Sequence, residues 1–220
     1  MRERFHEHLD SFAATLAILC ESSGTAMREA TVALLRADLE LAEKVIDDVG
    51  RIDQLALGCE ENAFTLLALQ APVAGELRQI VGGVHIVADI GRMGGLARHV
   101  AQVTRRRHPD QVLPDDVRTE FAEMGRVAVA MAATAGDVLA GHDPERAAGL
   151  DLDDEAIDEM QSRLLVHITG PAWEHGVQAA IDVTLLARYY ERYADHAVQV
   201  GRRVVYLVTG SNPPGSGALR

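Results

Sequence analysis

Aromatic residues make up only 4% of the chain, and there are just two cysteines, Cys20 and Cys59. Neither cysteine belongs to a CxxC pair, which leaves out zinc ribbons and dithiol redox motifs; both read as reduced thiols inside helices. Positive charge is also short. Twenty-one Lys and Arg face 33 Asp and Glu, a formal net charge of −12. Nucleic-acid-binding surfaces normally show a basic excess, so no nucleic acid is expected among the partners. The opening MRERFHEHLD holds no apolar signal core, and no apolar run reaches the roughly 18–20 residues that span a bilayer. A cytoplasmic protein is therefore expected. The patterns GxxxxGK[ST], GxSxG and HExxH and the kinase signatures do not occur.

What is abundant is apolar and small. Apolar residues make up 48% of the 220 positions, and the 3.6-residue period dominates without an alternating strand pattern. Punctuation divides this into six helices. The first runs from about Glu3 to Arg36. Asp38 offers an N-cap to a second, Leu39 to Leu69, which Pro72 ends. The third spans about Ala74 to Arg107, before the interruption His108–Pro114. Pro114-Asp115-Asp116 opens a fourth that ends near Gly141, and Asp143-Pro144 caps a fifth that ends at Gly170-Pro171. The sixth spans about Ala172 to Thr209, and the Gly/Ser/Pro-rich residues 210–220 read as a disordered tail. Loops this short make neighbouring helices antiparallel. The expected fold is all-α: two pseudo-symmetric antiparallel three-helix bundles, residues 1–107 and 115–209.

The halves are related in sequence as well. At an offset of 105, Leu34 falls on Leu139, Asp38 on Asp143, Ala42 on Ala147, Ile52 on Ile157 and Asp53 on Asp158. At an offset of 100, Arg92 falls on Arg192, Ala97 on Ala197 and Val100 on Val200. Two alignments in the same order indicate duplication.

The second half holds the most pointed constellation. Asp154 and Asp158 are four apart on the fifth helix, and Glu191 and Asp195 are four apart on the sixth. That spacing places each pair on one helix face, where like charges cost roughly 0.2–0.5 kcal/mol. Facing each other, the pairs form a four-carboxylate cluster, unfavourable alone and favourable around a hard or borderline cation. Two blander readings stand beside it: a solvated acidic face, and neutralisation by Arg192. In the first half only Asp53 matches, while Val49, Gly91 and Gly95 stand where Asp154, Glu191 and Asp195 stand.

Other features carry ordinary explanations alongside functional ones. Arg105-Arg106-Arg107 and Arg202-Arg203 suit helix C-terminal dipoles, or form a basic edge for anionic lipid or an acidic partner. Gly82, Gly83, Gly91, Gly94 and Gly95 on one helix indicate close packing or a docking surface. His196, beside Asp195, and Trp173, just after Pro171, are the remaining residues of interest.

At Gln70-Ala71-Pro72-Val73-Ala74-Gly75-Glu76-Leu77-Arg78, at Glu191-Arg192-Tyr193-Ala194-Asp195, and in the duplicated plan with Asp154 and Asp158 on the preceding helix, the chain resembles the PhoU family of phosphate-signalling regulators. The second segment matches that family's E(D)xxxD motif, and the resemblance covers about residues 1–210. It implies a non-enzymatic adaptor that links a phosphate ABC transporter to a sensor histidine kinase and holds the phosphate-starvation response off. It further implies a homodimer at the inner face of the membrane, associated through its partners. Some members bind iron or zinc clusters, and the motif residues carry over to Asp154, Asp158, Glu191 and Asp195 as one site in the second half. A metal-dependent enzyme using these carboxylates, and a metal-free scaffold whose acids meet an arginine-rich partner, are the alternative readings.

Overall fold

The computed structural model describes residues 2–70, 72–141 and 143–211; most of the predicted tail lies outside them. Among the described residues there are seven helices and no strand: α1 (Arg2–Arg36), α2 (Leu39–Gln70), α3 (Gly75–Arg107), α4 (Asp115–Gly141), α5 (Pro144–Ala148), α6 (Leu150–Thr169) and α7 (Gly176–Thr209). The predicted caps form. Asp38 Oδ1 accepts the Leu41 N–H at 3.0 Å, and Asp143 Oδ1 accepts those of Glu145 and Arg146. Asp115 and Asp116 lie in the first turn of α4, where the helix dipole favours them.

Helices α1, α2 and α3 pack mutually, and so do α4, α6 and α7. The trios join where α1 lies against α4 and α3 against α7. Buried apolar side chains run through both trios as one continuous core, from Leu19, Met27 and Met93 to Phe121, Met131 and Leu186. The residues paired by the sequence repeat share their burial: Leu34 with Leu139, Ala42 with Ala147, Ile52 with Ile157, Ala97 with Ala197 and Val100 with Val200 are all buried.

Polar ties cross the junction. The Tyr190 and Tyr193 hydroxyls on α7 pair with Thr31 (2.7 Å) and Ser23 (3.3 Å) on α1. Buried Asp182 on α7 accepts from Arg107 on α3, so one residue of the arginine run reaches inward. Asp89 on α3 mirrors it, accepting from Arg203 Nε at 2.7 Å and pairing with His196 Nδ1 at 3.1 Å. Burial alone would raise the Asp89 pKa, but the bonds from His196 and Arg203 outweigh it and hold it below the usual range.

Three expectations need correction. The predicted fifth helix is divided into α5 and α6 at Gly149, where Gly201 of α7 comes close: a Cβ on Gly201 would sit 2.7 Å from Leu150 Cδ1 and 3.4 Å from the Ala147 carbonyl oxygen. The last helix begins at Gly176 rather than Ala172. Trp173 occupies the turn before it, its indole N–H donating to the Gly176 carbonyl and its ring edge-on to His167 and His175. Finally, α3 reaches a mean hydropathy of 1.2 over 18 residues, enough by length and composition to cross a membrane. It is a core helix here, packed on α1, α2 and α7. Gly82 and Gly83 account for its close packing, because a Cβ on either would collide with Leu207 or Phe12.

Candidate functional site

Helices α6 and α7 lie side by side and bring the four predicted acids into one electrostatic neighbourhood. Asp154 is partly buried, and one of its oxygens, Oδ1, is buried without a hydrogen-bond partner. Burial, with the charges of Asp195, Asp158, Glu191 and Asp151, raises its pKa to about 7. Glu191 is 8% exposed, and its Oε2 is likewise buried and unpartnered. Burial comes first in raising its pKa as well, followed by Asp195, while Arg188 opposes the shift. Asp158 and Asp195 are exposed at the rim.

The donor chemistry suits a hard or borderline cation: two buried carboxylate oxygens, one from each helix, lack any hydrogen-bond donor. The arrangement as it stands does not enclose one. Among the described residues no group of three or more His, Cys, Asp or Glu is placed to hold a metal ion. Arg188 Nη1 instead donates to Glu191 Oε1. The guanidinium paired with Glu191 is thus that of Arg188, three residues before it, rather than that of the adjacent Arg192. A spacing of three shares a helix face, whereas adjacent residues diverge by 100°. His196, flagged for its proximity to Asp195, turns the other way, to Asp89.

The first half shows what replaces the site. Val49, at the position of Asp154, is fully buried and lies 3.7 Å from where a Cβ on Gly94 would stand. Asp53 pairs with Arg98 Nη1 at 2.8 Å, and Arg98 Nη2 is 4.0 Å from where a Cβ on Gly95 would be. A Cβ on Gly91 would meet nothing within 4 Å. One carboxylate facing one guanidinium is balanced without a metal.

The sequence reading passed over a second polar group on the same half. Asp116 at the start of α4 meets His167 Nε2 at 2.7 Å and His175 Nε2 at 3.2 Å, strapping the α6–α7 turn to α4. The His167 hydrogen bond leads in holding the Asp116 pKa below its ordinary value. Beyond it an apolar groove runs along the start of α7, lined by Ile168, Trp173, Val177, Ile181 and Leu185. Val177 is 77% exposed there, and in the first half Phe64 is 61% exposed.

A family model described as the PhoU domain matches the chain twice, at residues 16–104 and 121–204. The chain is 53% identical over 213 residues to the phosphate-specific transport system accessory protein PhoU homolog 2 of Mycobacterium tuberculosis, covering 97% of this chain and 100% of that protein. It is 52% identical over 213 residues to the PhoU homolog 1 of Mycobacterium leprae, covering 97% and 96%. Two crystal structures share the fold at 24% identity. PhoU from Pseudomonas aeruginosa superposes with a TM-score of 0.83 over 94% of this chain and 100% of that one. The phosphate transport system regulatory protein PhoU from Streptococcus pneumoniae gives 0.86 over 95% and 99%.

Proposed function

The chain belongs to the PhoU family, accessory proteins rather than enzymes, and on that premise we propose that it is a negative regulator of the phosphate-starvation response. It couples a phosphate ABC transporter to a sensor histidine kinase by protein contact, in the cytoplasm, as a homodimer held at the membrane through its partners. The observation that carries this reading is likeness over nearly the whole chain, at 53% identity, to a protein named for accessory work in phosphate-specific transport. Exposed apolar side chains in both halves, Phe64 and Val177 among them, supply surfaces suited to partners. The test is deletion of the gene in its host, with transcripts of phosphate-starvation genes measured in phosphate-rich medium. Induction in the deletion strain, reversed by the wild-type gene, supports the reading; silence of those genes refutes it.

A second reading concerns the α6–α7 cluster. Asp154 and Glu191, with Asp158 and Asp195 at the rim, bind one cation per chain, iron or zinc, and the first half binds none. The observation favouring it is the pair of buried, unpartnered carboxylate oxygens. A bound cation neutralises the mutual repulsion of these acids and fastens α6 to α7. Metal analysis of the purified protein and of the Asp154→Ala/Glu191→Ala double variant tests it. Stoichiometric metal in the wild type that is lost in the variant supports the site, and equal metal in both refutes its location.

A further inference from the structure

We infer that a second copy of this chain docks on the face formed by α1 and α4, each of these helices lying antiparallel on its own counterpart about a two-fold axis beside Gly24. This rests on the homodimer in the reading above and assigns the surface that forms it.

Three observations carry the inference. First, the face is made mostly of small residues. Helices α1 and α4 pack antiparallel: a Cβ on Gly24 would sit 3.1 Å from Ala132 Cβ, and one on Gly136 would sit 3.6 Å from Cys20 Cβ. Ala, Gly, Val and Ile supply most of the shallow groove between them, and Ile18 at its edge is 53% exposed. Such a surface lets another pair of helices approach closely. Second, the charges on this face are sorted. Glu21 and Arg28, seven apart, share one side of α1, and Arg126 and Asp137, eleven apart, share one side of α4. Because the helices run antiparallel, the acids Glu21 and Asp137 fall on one side of the Gly24–Ala132 contact, and Arg28 and Arg126 fall on the other. All four are exposed. Among the described residues neither Glu21 nor Arg28 forms an ion pair. Arg126 and Asp137 have in-chain partners, Glu123 and Arg146, in exposed pairs of the kind that hold weakly. Third, the area suffices. The 27 residues of α4 make a helix about 40 Å long, and two helices side by side, about 20 Å wide, present about 800 Å² per chain, the size of a stable interface.

Symmetry then selects the arrangement. The midpoint of Glu21 and Arg28 falls between Gly24 and Thr25, and that of Arg126 and Asp137 falls between Met131 and Ala132. Gly24 and Ala132 are themselves in contact, so both midpoints lie at one level of the face. A two-fold axis through that level, running across the helices, brings Glu21 of each copy to Arg28 of the other, and Arg126 of each copy to Asp137 of the other. The other face-to-face packing lays α1 of one copy on α4 of the second. It sets Glu21 beside Asp137 and Arg28 beside Arg126, and like charges oppose it.

The experiment is sedimentation equilibrium of the full-length protein in low-salt buffer, as wild type, Glu21→Arg, Arg28→Glu and the double variant Glu21→Arg/Arg28→Glu. Both positions are exposed, and circular dichroism confirms that each variant folds. The wild type is expected to be a dimer. Each single reversal sets like charges together twice per dimer and weakens association about ten-fold or more. The double variant regains wild-type association, and so does an equal mixture of the two single variants, because each restores both contacts between positions 21 and 28. A dimer that the single reversals leave intact overturns the surface and leaves the homodimer standing. So does a loss of dimer that neither the double variant nor the mixture restores. A wild type that stays monomeric removes the homodimer and this surface together, and leaves regulation through the transporter and the kinase untouched.

Discussion

Replacing Asp154 by asparagine isolates the cost of the acidic cluster. The substitution keeps the shape and removes the charge. In the folded protein the carboxyl titrates near pH 7, and in the unfolded chain near its ordinary value of 3.8. A folded-state pKa raised in this way means that the native state binds the proton more tightly than the unfolded state. The group therefore costs nothing below about pH 4, lowers stability progressively as pH rises from there to about 7, and imposes its full cost above. Three units at 1.36 kcal/mol each set a ceiling of about 4 kcal/mol. Because Asp154 is only partly buried, solvent screening reduces this to about 1–2 kcal/mol. For a chain of this size that corresponds to roughly 2–8 °C in Tm. The assay is urea denaturation of chelator-treated wild type and Asp154→Asn at pH 5 and pH 8. The variant gains stability at pH 8 and gains little at pH 5. Equal differences at the two pH values, or destabilisation at pH 8, would show that Asp154 does not carry a strained charge.

Three further outcomes follow from the interior. Asp89→Ala strands Arg203 and His196 at the α3–α7 junction and costs about 3 kcal/mol by chemical denaturation at pH 7. Because Asp89 has a lowered pKa, its contribution is present at neutral pH and fades only as pH falls through the acid range. Gly125→Ala places a Cβ 2.5 Å from Thr31 Cγ2, disturbs the Thr31–Tyr190 hydrogen bond and costs about 1–3 kcal/mol, read as a lower urea midpoint. Ala37→Gly relieves the left-handed backbone of the α1–α2 turn, where φ is 51°, and raises stability by about 0.5 kcal/mol after the added chain entropy is set against the relief.

Local chemistry made most of the helices legible. Asp38 and Asp143 announce helix starts because a short acidic side chain ahead of an apolar period satisfies the first free N–H groups, and both do so. The repeat was legible because duplicated cores keep their small and branched residues: Ala97 and Ala197 face equivalent interiors. The break at Gly149 falls where Gly201, 52 positions away, packs close to Leu150 and Ala147, a contact that periodicity does not encode. The late start of α7 depended on Trp173 turning back to the Gly176 carbonyl, which periodicity does not encode. In the candidate site, i,i+4 spacing located the four acids but not their counter-charge. Arg188 was within reach of the same spacing argument, and sequence adjacency drew attention to Arg192 instead. The Asp89–Arg203 and Asp182–Arg107 pairs join helices far apart in the chain, and a single sequence carries no signal for them.

The regulatory account stands on physical contact between this protein and the phosphate import machinery. Biolayer interferometry of the immobilised full-length chain against the detergent-solubilised transporter of its host, and against the cytoplasmic part of the paired histidine kinase, tests that directly. Saturable binding to both, weakened by substitution of exposed apolar residues such as Phe64 or Val177, is the predicted result. Absence of binding to either partner, with a folded chain on the sensor, would contradict it.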